Sequence, residues 1–237
     1  MNKRIWELDV LRGICILGMV VVHLLYDMVE LYRLIDWEYP PAFVFIRDWG
    51  SLLFLLISGI CVTLGSHPVR RGLIVFAGGL ICSAVTFGMV ALNFAETGMI
   101  IWFGILHCLG VCMLVWPLFR KLHPAFLLLL GAAIIAAGFY LDANVRVSFP
   151  WLIPLGVLYP GFASSDYFPL LPNLGFFLLG GFLGKTLYRR KESLLPRVNE
   201  KNPVIAFLSG CGRHSLWIYL LHQPVLAGLL SLISLLQ

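Results

Sequence analysis

Seven long apolar stretches, separated by short polar or proline-containing breaks, make up most of the chain: residues 9–29, 49–66, 71–92, 99–119, 124–141, 168–188 and 213–236. The breaks fall at Pro40-Pro41, at Ser66-His67-Pro68, from Asn93 to Gly98, from Arg120 to Pro124, across 142–167, and in the polar 189–203 segment. About 20 apolar residues cross a bilayer as a helix. The apolar–polar alternation of barrel strands is missing, so each stretch is predicted as a helix that satisfies its own backbone in lipid. The expected fold is all-α, a polytopic membrane bundle of about seven transmembrane helices forming a single domain over 1–237. Within 142–167, the run 149–160 is apolar but holds three prolines. It is too short and too broken to span, and is expected to lie in the interface or re-enter the protein. No internal repeat is evident.

Composition supports this reading. The chain is 60% hydrophobic and 12% charged, with a mean hydropathy of +0.91. A soluble protein carries roughly 25% charged residues. A water-facing globule, a disordered chain, a collagen-like repeat and a disulfide-stapled secreted scaffold are all excluded. The six cysteines (Cys15, Cys61, Cys82, Cys108, Cys112 and Cys211) lie in or beside apolar runs and read as small buried hydrophobes. Cys108 and Cys112 share a helical face, but no His or Cys stands at a matching spacing, and no metal site is expected. The first run contains Arg12 and His23 and is followed by no small-residue cleavage site, so it is expected to be an uncleaved span rather than a signal peptide.

The formal net charge of +5 takes on meaning once the charges are sorted by side. Lys3, Arg4, Arg12, Arg70, Arg71, Arg120, Lys121, Lys185, Arg189, Arg190, Lys191, Arg197, Lys201 and Arg213 fall on one side of a seven-span layout. Only Arg33, Arg47 and Arg146 fall on the other. By the positive-inside rule the amino terminus is cytoplasmic and the carboxyl terminus extracytoplasmic. The basic residues are thereby explained by topology, with no role for nucleic acid.

Ionisable groups inside a span are costly and are functional candidates by default. The first stretch carries Asp9, Arg12, His23 and Asp27, which fall within about 60° of one another at ~100° per residue. Arg12 and His23 are separated by roughly 16 Å along the axis. Asp27, four residues past His23, is placed to orient the imidazole and raise its basicity. Two readings stand for Asp9 and Asp27, as interfacial anchors or as parts of a site; His23 lies too deep to snorkel. The seventh stretch has a second stripe, Ser215, Tyr219 and His222. The fourth places His107 between Gly104 and Gly110, where helices can approach closely. Taken singly, His107 and His222 read equally as helix–helix hydrogen bonders or as catalytic groups. Three histidines near carboxylates make a shared polar cavity the more economical account. Asp48 is a further candidate for its lining, with Arg47 beside it as an interface anchor.

A neutral histidine with a carboxylate partner can take a proton from an amine or hydroxyl nucleophile. No serine or cysteine is placed as a covalent nucleophile, which favours direct transfer. Arg12 and the inner basic residues suit the phosphates of an anionic cytoplasmic cofactor, or equally lipid headgroups. No Walker, GxGxxG or HExxH pattern is present. Two non-enzymatic readings remain beside catalysis: a proton-coupled transporter or channel using the His/Asp stripe, and a non-catalytic membrane partner.

Several stretches resemble the heparan-alpha-glucosaminide N-acetyltransferase catalytic-domain family, in particular its short bacterial members. They are Glu7-Leu-Asp-Val-Leu-Arg-Gly13 leading to His23, Leu-Leu-Tyr-Asp27, Leu56-Ile-Ser-Gly59, Phe103-Gly-Ile-Leu-His-Cys-Leu-Gly110, Asp166-Tyr-Phe-Pro-Leu-Leu-Pro172, Leu174-Gly-Phe-Phe-Leu-Leu-Gly180, and Gly212-Arg-His-Ser-Leu-Trp-Ile-Tyr-Leu-Leu-His-Gln-Pro224. Arg12 and His23 also keep the ten-residue separation of the wider membrane acyltransferase superfamily. The resemblance implies acyl transfer, from cytoplasmic acetyl-CoA as donor substrate to an extracytoplasmic glycan, glycolipid or small amino sugar. It places the chain in a bacterial cytoplasmic membrane, with a homodimer left open. It assigns His23 as general base, with Asp27, Asp48 and His222 in the catalytic cavity. It places Arg12 near the donor; His107, Ser215 and Tyr219, from the polar stripes of the fourth and seventh stretches, are expected to join Arg12 in donor binding. Larger eukaryotic members carry their catalytic histidine in the loop after the first family helix; this chain has no histidine between His23 and His67, and its base falls to His23.

Overall fold

The computed structural model describes residues 5–236, so Lys3 and Arg4 of the topology argument lie outside the described residues. Eight α-helices follow one another: α1 (Trp6–Tyr26), α2 (Pro41–Leu64), α3 (Pro68–Ala91), α4 (Ile105–Phe119), α5 (Pro124–Asn144), α6 (Leu170–Thr186), α7 (Pro203–Arg213) and α8 (Ser215–Leu235). A π-helical turn, Asp27–Leu31, prolongs α1, and short 3-10 turns occupy Thr97–Met99 and Pro150–Leu155. Among the described residues there is no strand, only two isolated bridges. Among the described residues, five helical segments are long and apolar enough to cross a membrane: Trp6–Leu31, Pro41–Leu64, Pro68–Ala91, Pro124–Asn144 and Ser215–Leu235. The shorter α4 rises only about 22 Å at 1.5 Å per residue, against a hydrocarbon core of about 30 Å.

Proline sets several helix starts. Pro41, Pro68, Pro124 and Pro203 each occupy the first position of a helix, where a missing N–H costs nothing and the fixed φ is already helical. The His123 ring accepts from the Ala125 N–H at 3.3 Å, and the Asn202 side chain accepts from Val204 at 2.9 Å, capping α5 and α7. Two predicted helix starts move by several residues. The second helix begins at Pro41 rather than at 49, which takes Arg47 and Asp48 into its first turns. The fourth begins at Ile105 rather than at 99. A further helix, α7, lies where a polar connection and the edge of the last stretch were expected.

The chain folds as two compact units, Met1–Phe54 with Lys191–Gln237, and Leu55–Arg190. In the first, α1 packs on α7 and α8. A Cβ at Gly13 would overlap the Leu208 carbonyl, and one at Gly212 the Asp9 carbonyl, so α1 and α7 meet backbone to backbone. The buried Glu7 fixes the connection, its Oε1 accepting from the Leu194 N–H at 2.7 Å.

In the second unit α3 packs on α4, α5 on α6, and α4 on α6, around the buried side chains of Leu55, Ile57, Trp116, Leu127, Phe177 and Leu178. The proline-rich run folds back onto its own unit. Tyr167 donates to the Ile153 carbonyl at 2.7 Å, Ser164 to the Ile100 carbonyl at 2.9 Å, and the Phe168 N–H to Phe103 at 2.9 Å. Burial, with the Asp142 charge, pushes the Tyr167 hydroxyl above its ordinary range.

Candidate functional site

The polar stripe of α1 faces α8. Arg12 meets Ser215, His23 meets His222, Asp27 meets Gln223, and Tyr32 reaches Ala227 and Ser231. Numbers rise together along the two helices, so α1 and α8 run parallel.

The two imidazoles lie 4.9 Å apart between ring centroids, edge to face at 70°. His23 Nδ1 is 2.9 Å from the Met19 carbonyl, and His222 Nδ1 is 2.5 Å from the Tyr219 carbonyl. A carbonyl oxygen only accepts, so Nδ1 carries the proton in each ring, and each neutral ring keeps its basic lone pair on Nε2. His222 Nε2 is buried without a hydrogen-bond partner among the described residues. The Tyr219 ring lies 5.6 Å from the His222 ring.

Asp27 is buried at 2% exposure, and both its carboxylate oxygens accept from Gln223 Nε2, at 3.2 and 3.0 Å. The expected carboxylate-to-imidazole hydrogen bond is therefore replaced: the Met19 carbonyl orients His23, and Asp27 orients Gln223. Helical i,i−4 geometry brings the Met19 carbonyl to the ring without any long-range partner. Asp27, at the first position of the π-turn, is turned to α8.

Toward the amino-terminal end of the same pair, Arg12 Nη2 donates to the buried Ser215 Oγ at 2.8 Å, and Nη1 stands 3.9 Å from Asp9. A guanidinium has five N–H donors, so this pair leaves capacity for an anion. Asp48 sits elsewhere on the same unit, exposed and accepting from Arg47 Nε at 2.8 Å, the anchor arrangement weighed for that pair.

His107 belongs to the second unit and is engaged at both ring nitrogens. The Gly104 N–H donates to its Nδ1 at 3.2 Å, so the neutral ring carries its proton on Nε2, 3.4 Å from Ser83 Oγ. Phe103 and Phe76 flank the ring, and a Cβ at Gly79 would stand 2.9 Å from it. The side chain closes the first turn of α4. Asp166 supports the same turn, accepting from the Ile105 N–H at 3.2 Å. A cavity of about 510 Å³ beside it is lined mainly by apolar groups, with Ser83 and His107 its polar members. Among the described residues no three metal-ligating side chains come together.

Two contributors escaped the reading of the sequence. Gln223, an amide, carries no charge that would single it out, although it follows His222 directly within the last matching stretch. Asp166 lay in a matching stretch too, without a role.

Two parallel apolar helices thus bring two imidazoles, a buried carboxylate and a guanidinium onto one seam of a protein whose helices have membrane character. The chain belongs to the family described as heparan-alpha-glucosaminide N-acetyltransferase, catalytic, whose model matches residues 4–224. Membership implies an enzyme of N-acetyltransferase type. No curated protein and no solved structure matches the chain.

Proposed function

We propose that this protein transfers an acyl group, acetyl in the first instance, from cytoplasmic acyl-CoA to the amine or hydroxyl of an extracytoplasmic sugar, with His23 as general base. The reading treats 1–237 as one catalytic domain in a bacterial inner membrane, with seven crossings. The observation that carries it is the histidine pair: two rings locked at Nδ1 by their own helices, with Nε2 left as base, on the stripe that also bears Arg12. Arg12 and Ser215, with Tyr219 further along α8, would hold the donor end. Over the roughly 16 Å from Arg12 to His23, a pantetheine-like arm could reach from a phosphate held at one end to a base at the other.

In the reaction, His23 Nε2 takes a proton from the acceptor nitrogen or oxygen as its lone pair bonds to the thioester carbonyl carbon. The carbon–sulfur bond breaks, and the CoA thiolate recovers the proton held on His23. Products are the N- or O-acetyl sugar and free CoA. His222, edge-on to His23, offers its Nε2 to the acceptor. His107 holds α4 in place, and the Arg47–Asp48 pair anchors the start of α2.

Purified wild-type protein is expected to bind acetyl-CoA in calorimetry and to release CoA when an amino sugar is supplied. His23→Ala is expected to lower turnover by about 10²–10⁴-fold, the usual contribution of a general base, with the melting temperature in detergent retained. Wild-type protein that binds no acetyl-CoA, or that drives pH-dependent flux in liposomes with no thioester consumed, would sink the proposal.

A further inference from the structure

The acceptor's amine needs more than a base, and one residue beside the histidine pair is set to receive it. Asp27, as a carboxylate, can only accept hydrogen bonds, so the Gln223 amide must present its NH2 to it; the two contacts of 3.2 and 3.0 Å fix that orientation. The consequence is that Gln223 Oε1 faces away from Asp27. It is buried, and no donor among the described residues reaches it. The adjacent His222 Nε2 is in the same condition, because its ring proton is committed to the Tyr219 carbonyl. Two neighbouring residues of α8 thus carry buried acceptors without donors, each beside the α1 stripe, at His23 and at Asp27. A buried acceptor left unpaired is costly, and these two, on adjacent residues, are where a ligand bringing hydrogens would recover that cost.

We infer that Gln223 is a positioning residue for the acceptor, its Oε1 taking a hydrogen bond from the substrate amine while Asp27 holds the amide in the required orientation. The inference rests on the acyltransferase reading above and adds to it a source of selectivity. A primary amine gives one N–H to a histidine and still has another for Gln223. A sugar hydroxyl has a single hydrogen and satisfies only one of the acceptors.

The test is a comparison of glucosamine with glucose as acetyl acceptors for the full-length protein in detergent or nanodiscs. Wild-type protein is expected to prefer glucosamine in kcat/KM. Gln223→Met keeps the length of the side chain and removes the amide. It is expected to raise KM for glucosamine about tenfold, the worth of one hydrogen bond, with kcat within about twofold and the Kd for acetyl-CoA retained. Asp27→Asn, which lets the amide adopt either orientation, is expected to shift selectivity in the same direction by about threefold, and it carries the test if Gln223→Met melts early. Selectivity unchanged in both folded variants would overturn the inference, as would a loss confined to kcat or to donor binding. Wild-type protein that binds acetyl-CoA but acetylates glucosamine no faster than glucose would overturn this inference alone, whereas failure to bind acetyl-CoA would overturn the acyltransferase reading itself.

Discussion

His23 and His222 each commit Nδ1 to a carbonyl three or four residues back in the same helix, a local bond that fixes ring orientation wherever the helix forms. Arg12 differs, since its bond to Ser215 joins residues 203 positions apart in sequence and exists only when α1 and α8 are paired. Arg12→Lys keeps the charge but loses the planar fork that serves Ser215 and, in the proposed reading, a donor phosphate. Its expected effect is a rise of about tenfold in the acetyl-CoA Kd by calorimetry, with a steeper dependence on salt. Much at this scale was legible beforehand: the stripe of Asp9, Arg12, His23 and Asp27 is the face that meets α7 and α8. The carboxylate's partner was not, because spacing along one helix places His23 and Asp27 near each other but says nothing of a competing amide on another helix. Gln223, an amide, carries no charge to mark it along the sequence.

At the scale of elements, all seven apolar stretches became helices, and the errors lie at their ends. Pro40-Pro41 looked like an interruption but supplies a first-turn proline, so α2 starts there. The apolar residues 99–104 resemble the start of a span, yet 100–104 are not helical, and distant side chains satisfy their backbone. Thr86 Oγ1 accepts from the Ile101 N–H at 3.1 Å, and Ser83 donates to the Ile101 carbonyl at 2.6 Å. Hydropathy cannot register such partners. The α7 helix was hidden for a different reason, being short, capped by Asn202 and flanked by polar residues. Its close contact with α1 gives a prediction: Gly13→Val would force a Cβ onto the Leu208 carbonyl and separate the helices. The expected cost is about 1–3 kcal/mol, seen as a lowered melting temperature with weakened acetyl-CoA binding, because α1 carries Arg12. Gly18→Ala, where a Cβ meets nothing within 4 Å, is the matched control.

For the whole molecule, the charge distribution and the pairing of α1 with α8 bear on one question. Parallel helices that both cross a membrane enter it from the same side, so an α1 that starts in the cytoplasm requires an α8 that ends outside. The 14 basic residues assigned to the inner side argue for that start. A reporter fused to the carboxyl terminus is expected to be active only in its extracytoplasmic form, and a reporter at the amino terminus only in its cytoplasmic form. The reverse pattern would overturn the layout. Hydropathy made membrane residence legible, but the division into two compact units was not, since the boundary at Phe54 falls inside an apolar run with no change of composition to mark it.

The partnership of α1 and α8 also sets a timetable. Chains emerge from the ribosome amino end first, so the half-site on α1 exists early and waits nearly the whole length of synthesis for Ser215, His222 and Gln223. Until then Arg12 has no serine to bind, and Asp27 no amide to hold. Unit Leu55–Arg190 draws all its residues from within one continuous stretch and has no such wait. A nascent or prematurely terminated chain ending before residue 215 should hold a folded middle yet show no acetyl-CoA turnover, which limited proteolysis and CoA-release assays on a 1–190 fragment would reveal. On the proposed reading, late completion keeps the site from working before the last helix has been made.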